Sequence, residues 1–308
     1  MRRIAEDRRA AIVALALLTL VWGYNWVVIK IAVRDASPFV FAATRTFGGG
    51  CALAVGALLA RKPVRSPHWR TFIWIGLFQT AAFVGLVTWA IVSAGAGQVA
   101  MLSYTMPLWV ALVAWPALGE RLRWPQAFAI AVAFAGIACM VGPLRHGAVP
   151  SMLALLAGIA WALGVILTKR VQRNRNVDLY ALTMWQMLAG GAALVIVALL
   201  VPERPTQWTQ PYILALCYNV FLATALAYVV WTFVLEKLPA RTASMGTLTN
   251  PIFGTLAAWA QLHEIPTKFE GAGMILVACG LTALALADHR ERVPRDSQEE
   301  SCGVDTVT

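Results

Sequence analysis

The chain has 308 residues, of which 59% are hydrophobic and 13% charged, with a mean hydropathy of +0.68. Soluble domains carry about 25% charged residues, and the apolar runs here lack the charged outer faces of a soluble helical core, so a soluble fold is excluded. The net charge of +10 sits in short clusters between apolar runs; that arrangement excludes a nucleic-acid stripe and points to membrane topology.

Ten runs are long enough to cross a bilayer, which takes about 20 residues. They fall at about 10–33, 37–60, 70–93, 97–117, 124–143, 150–170, 178–201, 210–235, 240–261 and 269–287. Turn and capping residues separate them, among them Ser37-Pro38, Lys62-Pro63, Trp124-Pro125, Pro150-Ser151, Pro239 and Pro266-Thr267. The first run lacks a small-residue cleavage site and continues through aromatic residues to Ile31, so it reads as a retained span rather than a leader. Residues 1–9 form a basic tail, and the polar stretch 288–308 is expected to be disordered.

The loops alternate in charge. Of the 25 Lys and Arg residues, 19 fall on one side if all ten runs cross, and 4 on the other. Lys30 and Arg45 fall within spans. This asymmetry expects both termini in the cytoplasm and a multi-pass protein of the inner membrane.

An internal repeat divides the spans. Ser103–Glu120, S-Y-T-M-P-L-W-V-A-L-V-A-W-P-A-L-G-E, is written again as T-L-T-N-P-I-F-G-T-L-A-A-W-A-Q-L-H-E over Thr247–Glu264, and Pro107 and Pro251 each precede a glutamate by 13 positions. Trp22 and Lys30 match Trp161 and Lys169, each pair 8 apart, and Gly136 and Gly280 each follow the glutamate by 16. Arg45-T-F-G-G-G aligns with Gln186-M-L-A-G-G. The expected fold is therefore an all-α polytopic membrane protein of ten helices, with five-helix repeats at 10–143 and 150–287. Five spans per repeat is an odd number, so the second repeat is inverted, a construction typical of secondary transporters.

These features resemble the drug/metabolite transporter superfamily, in particular its EamA-type exporters. The resemblance rests on W-G-Y-N-W-V-V-I-K at 22–30, the proline–glutamate repeat with its L-G-E ending, and the five-plus-five arrangement. It implies export of small metabolites such as amino acids through a central cavity between the halves. No single substrate follows from it.

Path-lining residues are sought among polar and aromatic side chains inside spans. Arg45 lies about eight residues, roughly 12 Å, into the second span, too deep to reach water easily, so it should face protein or a wet cavity. It either reads a substrate carboxylate with its planar guanidinium or ties off carbonyls freed by a proline break. Asn25, Gln79, Tyr104, Gln186 and Asn250 should face one another or the cavity, because unpaired polar groups are costly in hydrocarbon. Trp22, Trp26 and Trp161 offer apolar area, an N–H donor and a face for cations, which suits amphipathic or zwitterionic solutes. Lys30 is an anchor near the external end.

Pro107 and Pro251 each free a carbonyl within the membrane and mark helix breaks that should line the path, with Glu120 and Glu264 at opposite mouths. None of the fifteen carboxylates falls at mid-membrane, which favours gradient-driven movement without a carboxylate relay. The five cysteines are scattered and odd in number, which argues against disulfides and metal clusters. The first four are expected to be buried small hydrophobes. No catalytic constellation, cofactor motif or metal-ligand spacing appears, so an embedded enzyme or a receptor ranks well below a transporter. The expected partners are a small-molecule substrate and the bilayer, and nothing in the sequence demands an oligomer.

Overall fold

The computed structural model describes residues 2–62, 64, 68–118, 123–141, 148–172, 177–202, 204–238 and 249–290. Among them every regular element is helical. Helix α1 is Arg2–Asp35, α2 is Pro38–Leu59 and α3 is Trp69–Ser93. Helices α4 (Ala96–Ser103) and α5 (Met106–Leu118) lie end to end, followed by α6 (Trp124–Val141). The second half holds α7 (Ala148–Gln172), α8 (Leu179–Leu200), α9 (Gln210–Lys237), α10 (Thr249–Leu262) and α11 (Lys268–Arg290).

Local chemistry sets several of these ends. Pro38 opens α2 where its missing N–H is no loss. The Asp178 carboxylate accepts from the N–H groups of Tyr180 and Ala181 at 2.8 and 3.0 Å, capping α8. Thr209 caps α9 ahead of Pro211 and also donates to the Asp35 carboxylate, joining the ends of α1 and α9.

Six helices among the described residues are long and apolar enough to cross a membrane: α1 from Arg9, α2, α3, α7, α8 and α9. The protein is thus an all-helical, multi-pass membrane chain. Helices α6 and α11 carry shorter apolar stretches, Trp124–Cys139 and Gly271–Ala283. The expected fourth span is interrupted at Tyr104-Thr105, where α4 gives way to α5. Of the expected ninth span only the part from residue 249 lies within the described residues.

Helices α3 and α9 each contain a π-helical segment, Gly76–Ala82 and Tyr218–Leu226. Such segments are rare and often mark functional places. The first packs against α7 and α8, the second against α1 and α2. The remaining contacts follow the same exchange of halves: α1 packs on α9 and α10 while α7 packs on α3, α4 and α5, and α2 packs on α8, α6 on α11.

Glycines make the close approaches. A Cβ on Gly136 would sit 2.7 Å from Val277 N and one on Gly280 2.7 Å from Ala133 N. A Cβ on Gly50 would meet Leu188 N at 2.9 Å, and one on Gly191 the Phe47 Cα at 2.6 Å, so the two glycine clusters seen in the sequence hold α2 against α8.

The cysteines correct an expectation. Cys51, Cys217 and Cys279 are exposed and Cys139 is half-buried, all as free thiols. The outward face of a membrane helix is apolar too, so a small hydrophobe is as well placed there as in the core.

Candidate functional site: an aromatic cavity at the helix break

Trp22, Asn25, Trp26 and Ile29 recur at helical spacing and share one face of α1, and that face borders a buried cavity. Arg45 enters from α2; Phe83, Val84 and Val87 from α3; Ser103, Tyr104 and Met106 from the break between α4 and α5. Trp161 of α7 and Tyr228 of α9 close it from the second half. The volume is about 50 Å³, well below the roughly 300–1,000 Å³ typical of ligand pockets.

Edge-to-face packing orders the rings. Trp22 stands 5.9 Å from Trp161 and 5.5 Å from Tyr228, and Phe83 stands 4.6 Å from Trp161. These separations are in the favourable range for aromatic pairs. The Trp22 indole N–H also donates to the Ala223 carbonyl at 3.0 Å. Ala223 lies in the π segment of α9, so Trp22 serves both as cavity wall and as partner to irregular backbone.

The break is built by its own sequence. Pro107 cannot donate to Ser103 O, as residue i would to i−4. A Cβ at Gly158 would lie 3.0 Å from that carbonyl; only glycine lets α7 approach so closely. Thr105 ties off Leu102 O with both its N–H (3.2 Å) and its hydroxyl (2.6 Å), and its hydroxyl accepts from the Trp109 indole at 3.1 Å. The Tyr104 side chain turns to the second half, where Asn250 Nδ2 donates to its hydroxyl at 2.6 Å. Tyr104 and Asn250, one beside each proline, thus meet directly.

Arg45 is only 5% exposed. Its guanidinium carbon lies 6.0 Å from the Phe41 ring centroid, and its Nε has no hydrogen-bond partner. Among the described residues no hydrogen bond joins it to a carbonyl at Pro107, and Thr247, whose carbonyl Pro251 frees, lies outside the described residues. No Asp or Glu among the described residues borders the cavity.

Other expected path residues are placed elsewhere. Gln79 is buried in the π segment of α3 and accepts from the Thr168 hydroxyl at 3.4 Å, and Gln186 is buried between α8 and α3. Neither borders the cavity. The Gln79 amide oxygen finds its partner on α7, the alternative that a single polar position in an apolar run does not distinguish. Pro251 lies in the described part of α10, and residues 241–248 before that helix lie outside the described residues. Glu120 lies outside the described residues.

Glu264 accepts from Ala96 N at 2.6 Å, capping α4, while Lys30 Nζ donates to the carbonyls of Ile91 and Ala94 at 2.7 and 2.8 Å, capping α3. Opposite charges thus meet opposite helix ends on the two sides of the Ala94-Gly95 link, each with the favourable dipole sense. Lys30 is an anchor, as expected, but through these carbonyls and not by reaching for water. Both residues also border a second cavity of about 270 Å³ with Gln98, Thr255 and Pro266. Lys169, the repeat counterpart of Lys30, likewise donates to Leu235 O near the end of α9, at 3.2 Å.

The EamA-like transporter family matches the chain twice, over residues 9–142 and 149–286. The chain belongs to the EamA-like transporter family. This EamA transporter is similar to the uncharacterized transporter YoaV of Bacillus subtilis, 25% identical over 90% of this chain and 97% of the relative. It is also similar to a probable amino-acid metabolite efflux pump of Escherichia coli, 24% identical over 89% of this chain and 94% of that protein. A solved crystal structure shares the fold with a TM-score of 0.68 at 18% identity, covering 90% of this chain and 98% of the other.

The cavity residues Phe83 and Met106 were not singled out in the sequence, where they are ordinary members of apolar runs, whereas Tyr228 is one of the polar side chains within a span. Phe83 and Tyr228 stand just past the two π segments, a signal that hydropathy does not carry.

Proposed function

We propose that this EamA transporter exports small amphipathic metabolites, with neutral and aromatic amino acids as the best candidates, by alternating access. It does so as ten spans in two inverted five-helix repeats, set in the inner membrane with both termini cytoplasmic. The observation that carries this reading is the aromatic cavity where α1 meets α7 and α9, walled by Trp22, Trp161 and Tyr228 and opened by a helix break. Irregular backbone at membrane depth is tolerated against protein or a solvated path, and transporter sites form where repeats meet.

The reciprocal contacts of the glycine pairs and the matched π segments support a two-fold relation between the halves. The lysine and arginine asymmetry supports the orientation. The efflux activity in the name of the Escherichia coli relative supports the direction. A Trp-walled site favours solutes with an apolar body over sugars and phosphates.

With no carboxylate bordering the cavity among the described residues, transport runs down the solute gradient. The test is flux of labelled phenylalanine and leucine from proteoliposomes holding the purified chain, with and without imposed pH and sodium gradients. Flux that ignores both gradients is expected. Concentrative transport driven by either contradicts uncoupled movement, and the absence of flux across a panel of amphipathic solutes contradicts export altogether.

A further inference from the structure

Among the described residues that border the cavity, three carry a buried polar atom with no hydrogen-bond partner: Arg45 Nε, Asn25 Oδ1 and Ser103 Oγ. Their residues are 5, 6 and 1% exposed. Buried polar atoms are nearly always paired, because an unpaired one bears its full desolvation cost. Three residues bordering one cavity carry such atoms, and their chemistry is not uniform. Arg45 is a cation and a donor with no anion facing it, whereas Asn25 Oδ1 only accepts and the Ser103 hydroxyl can accept. The rest of the wall is aromatic or aliphatic apart from the Tyr104 and Tyr228 hydroxyls, and Tyr104 already accepts from Asn250.

We propose that these atoms read a zwitterionic head group, with the substrate carboxylate on the Arg45 guanidinium and its ammonium on Asn25 Oδ1 and Ser103 Oγ. The apolar body then lies against Trp22, Trp161 and Phe83. This rests on the exporter reading and adds to it the residues that set specificity. Asn25 and Ser103 are the positions that separate an amino acid from its deaminated acid, and Arg45 the one that separates it from its decarboxylated amine. The assignment accounts for a cation without a counter-charge among the described residues bordering the cavity: the missing anion arrives with the solute. It also explains why one acceptor sits on α1 and the other at the break, since a head group held between them registers any change in how α4 lies against α1.

The experiment uses phenylalanine, 3-phenylpropionate and phenethylamine, which share a body and differ only in the head group. Each is measured as a competitor of labelled phenylalanine efflux from proteoliposomes. Hydrogen bonds to charged groups contribute about 1.5–3 kcal/mol, so wild type should prefer phenylalanine over either analogue by about tenfold or more. Arg45→Gln should erase the advantage over phenethylamine. Asn25→Leu and Ser103→Ala should each cut the advantage over 3-phenylpropionate. Asn25→Asp keeps the shape and adds a carboxylate, so it should swing preference towards phenethylamine; this variant decides the matter if Asn25→Leu does not fold.

Equal handling of phenylalanine and 3-phenylpropionate by wild type overturns the proposal. So does an equal loss for all three compounds in every variant, the behaviour of a polar cluster that only holds water. If wild type carries other amphipathic solutes but none of these three, the head-group assignment alone falls. If it carries no solute, the exporter reading falls with it.

Discussion

Gly280→Ala adds one methyl where α11 crosses α6. Its Cβ would lie 2.7 Å from Ala133 N, 2.8 Å from Ala129 O and 2.8 Å from Ala133 Cβ. Two of these atoms are backbone, so no rotamer change relieves the contact, and restoring ordinary van der Waals distance requires the helices to part by about 0.7 Å. A radial gap of about 0.5–1 Å forfeits a quarter to a half of the dispersion energy of the atoms it separates, and overpacked sites of this kind cost about 1–3 kcal/mol. Gly136→Ala meets the same obstacle from the other side, 2.7 Å from Val277 N and 2.8 Å from Gly273 O. Each single variant should therefore lower the thermal unfolding midpoint of the chain in detergent micelles. The double variant should cost much less than the two together, because the separation forced by one methyl makes room for the other. Additive losses, or neutral single variants, would mean that the two glycines do not share one close crossing.

Glu264→Ala removes the acceptor for Ala96 N and should destabilise by about 1–2 kcal/mol, as loss of a helix cap does, while Glu264→Gln, which keeps an acceptor, should cost less; both are read by thermal unfolding in micelles. Trp22→Phe leaves the Ala223 carbonyl of the π segment without its 3.0 Å donor and should cost about 1–3 kcal/mol together with a reduced efflux rate in proteoliposomes. Tyr104→Phe strands the Asn250 amide at about the same cost, and combining it with Asn250→Leu should recover part of the loss, a coupling that a double-mutant cycle measures.

Much of the scaffold follows from local chemistry visible in the sequence. Pro38, Asp178 and Thr209 start helices for reasons that their side chains carry, and the i, i+3, i+4 spacing of Trp22, Asn25 and Trp26 already puts them on one face. Arg45 stands out by depth alone, and Tyr104 and Asn250 by their places beside matched prolines. What the sequence could not supply was rotation about the helix axis. These spans are apolar all round, so a polar residue within one has no amphipathic face to orient it. Gln79 turned to the neighbouring α7, while Asn25 borders the cavity. The π segments shift that rotation again, and G-L-F-Q-T-A-A carries no compositional mark of its geometry. Phe83 consequently reaches the cavity unannounced. The cysteines show the same ambiguity from outside, since lipid accepts what the core would.

Alternating access through this cavity is tested most directly by chemical labelling at Val87, which borders it and is buried. The five native cysteines are replaced and Val87→Cys is introduced as the single thiol. A membrane-impermeant methanethiosulfonate reagent is then applied to either face of oriented vesicles. The thiol should react from both faces, and a transported amino acid should slow the reaction. Reaction from one face only, at a rate that the solute leaves unchanged while efflux continues, would place the transport path somewhere else.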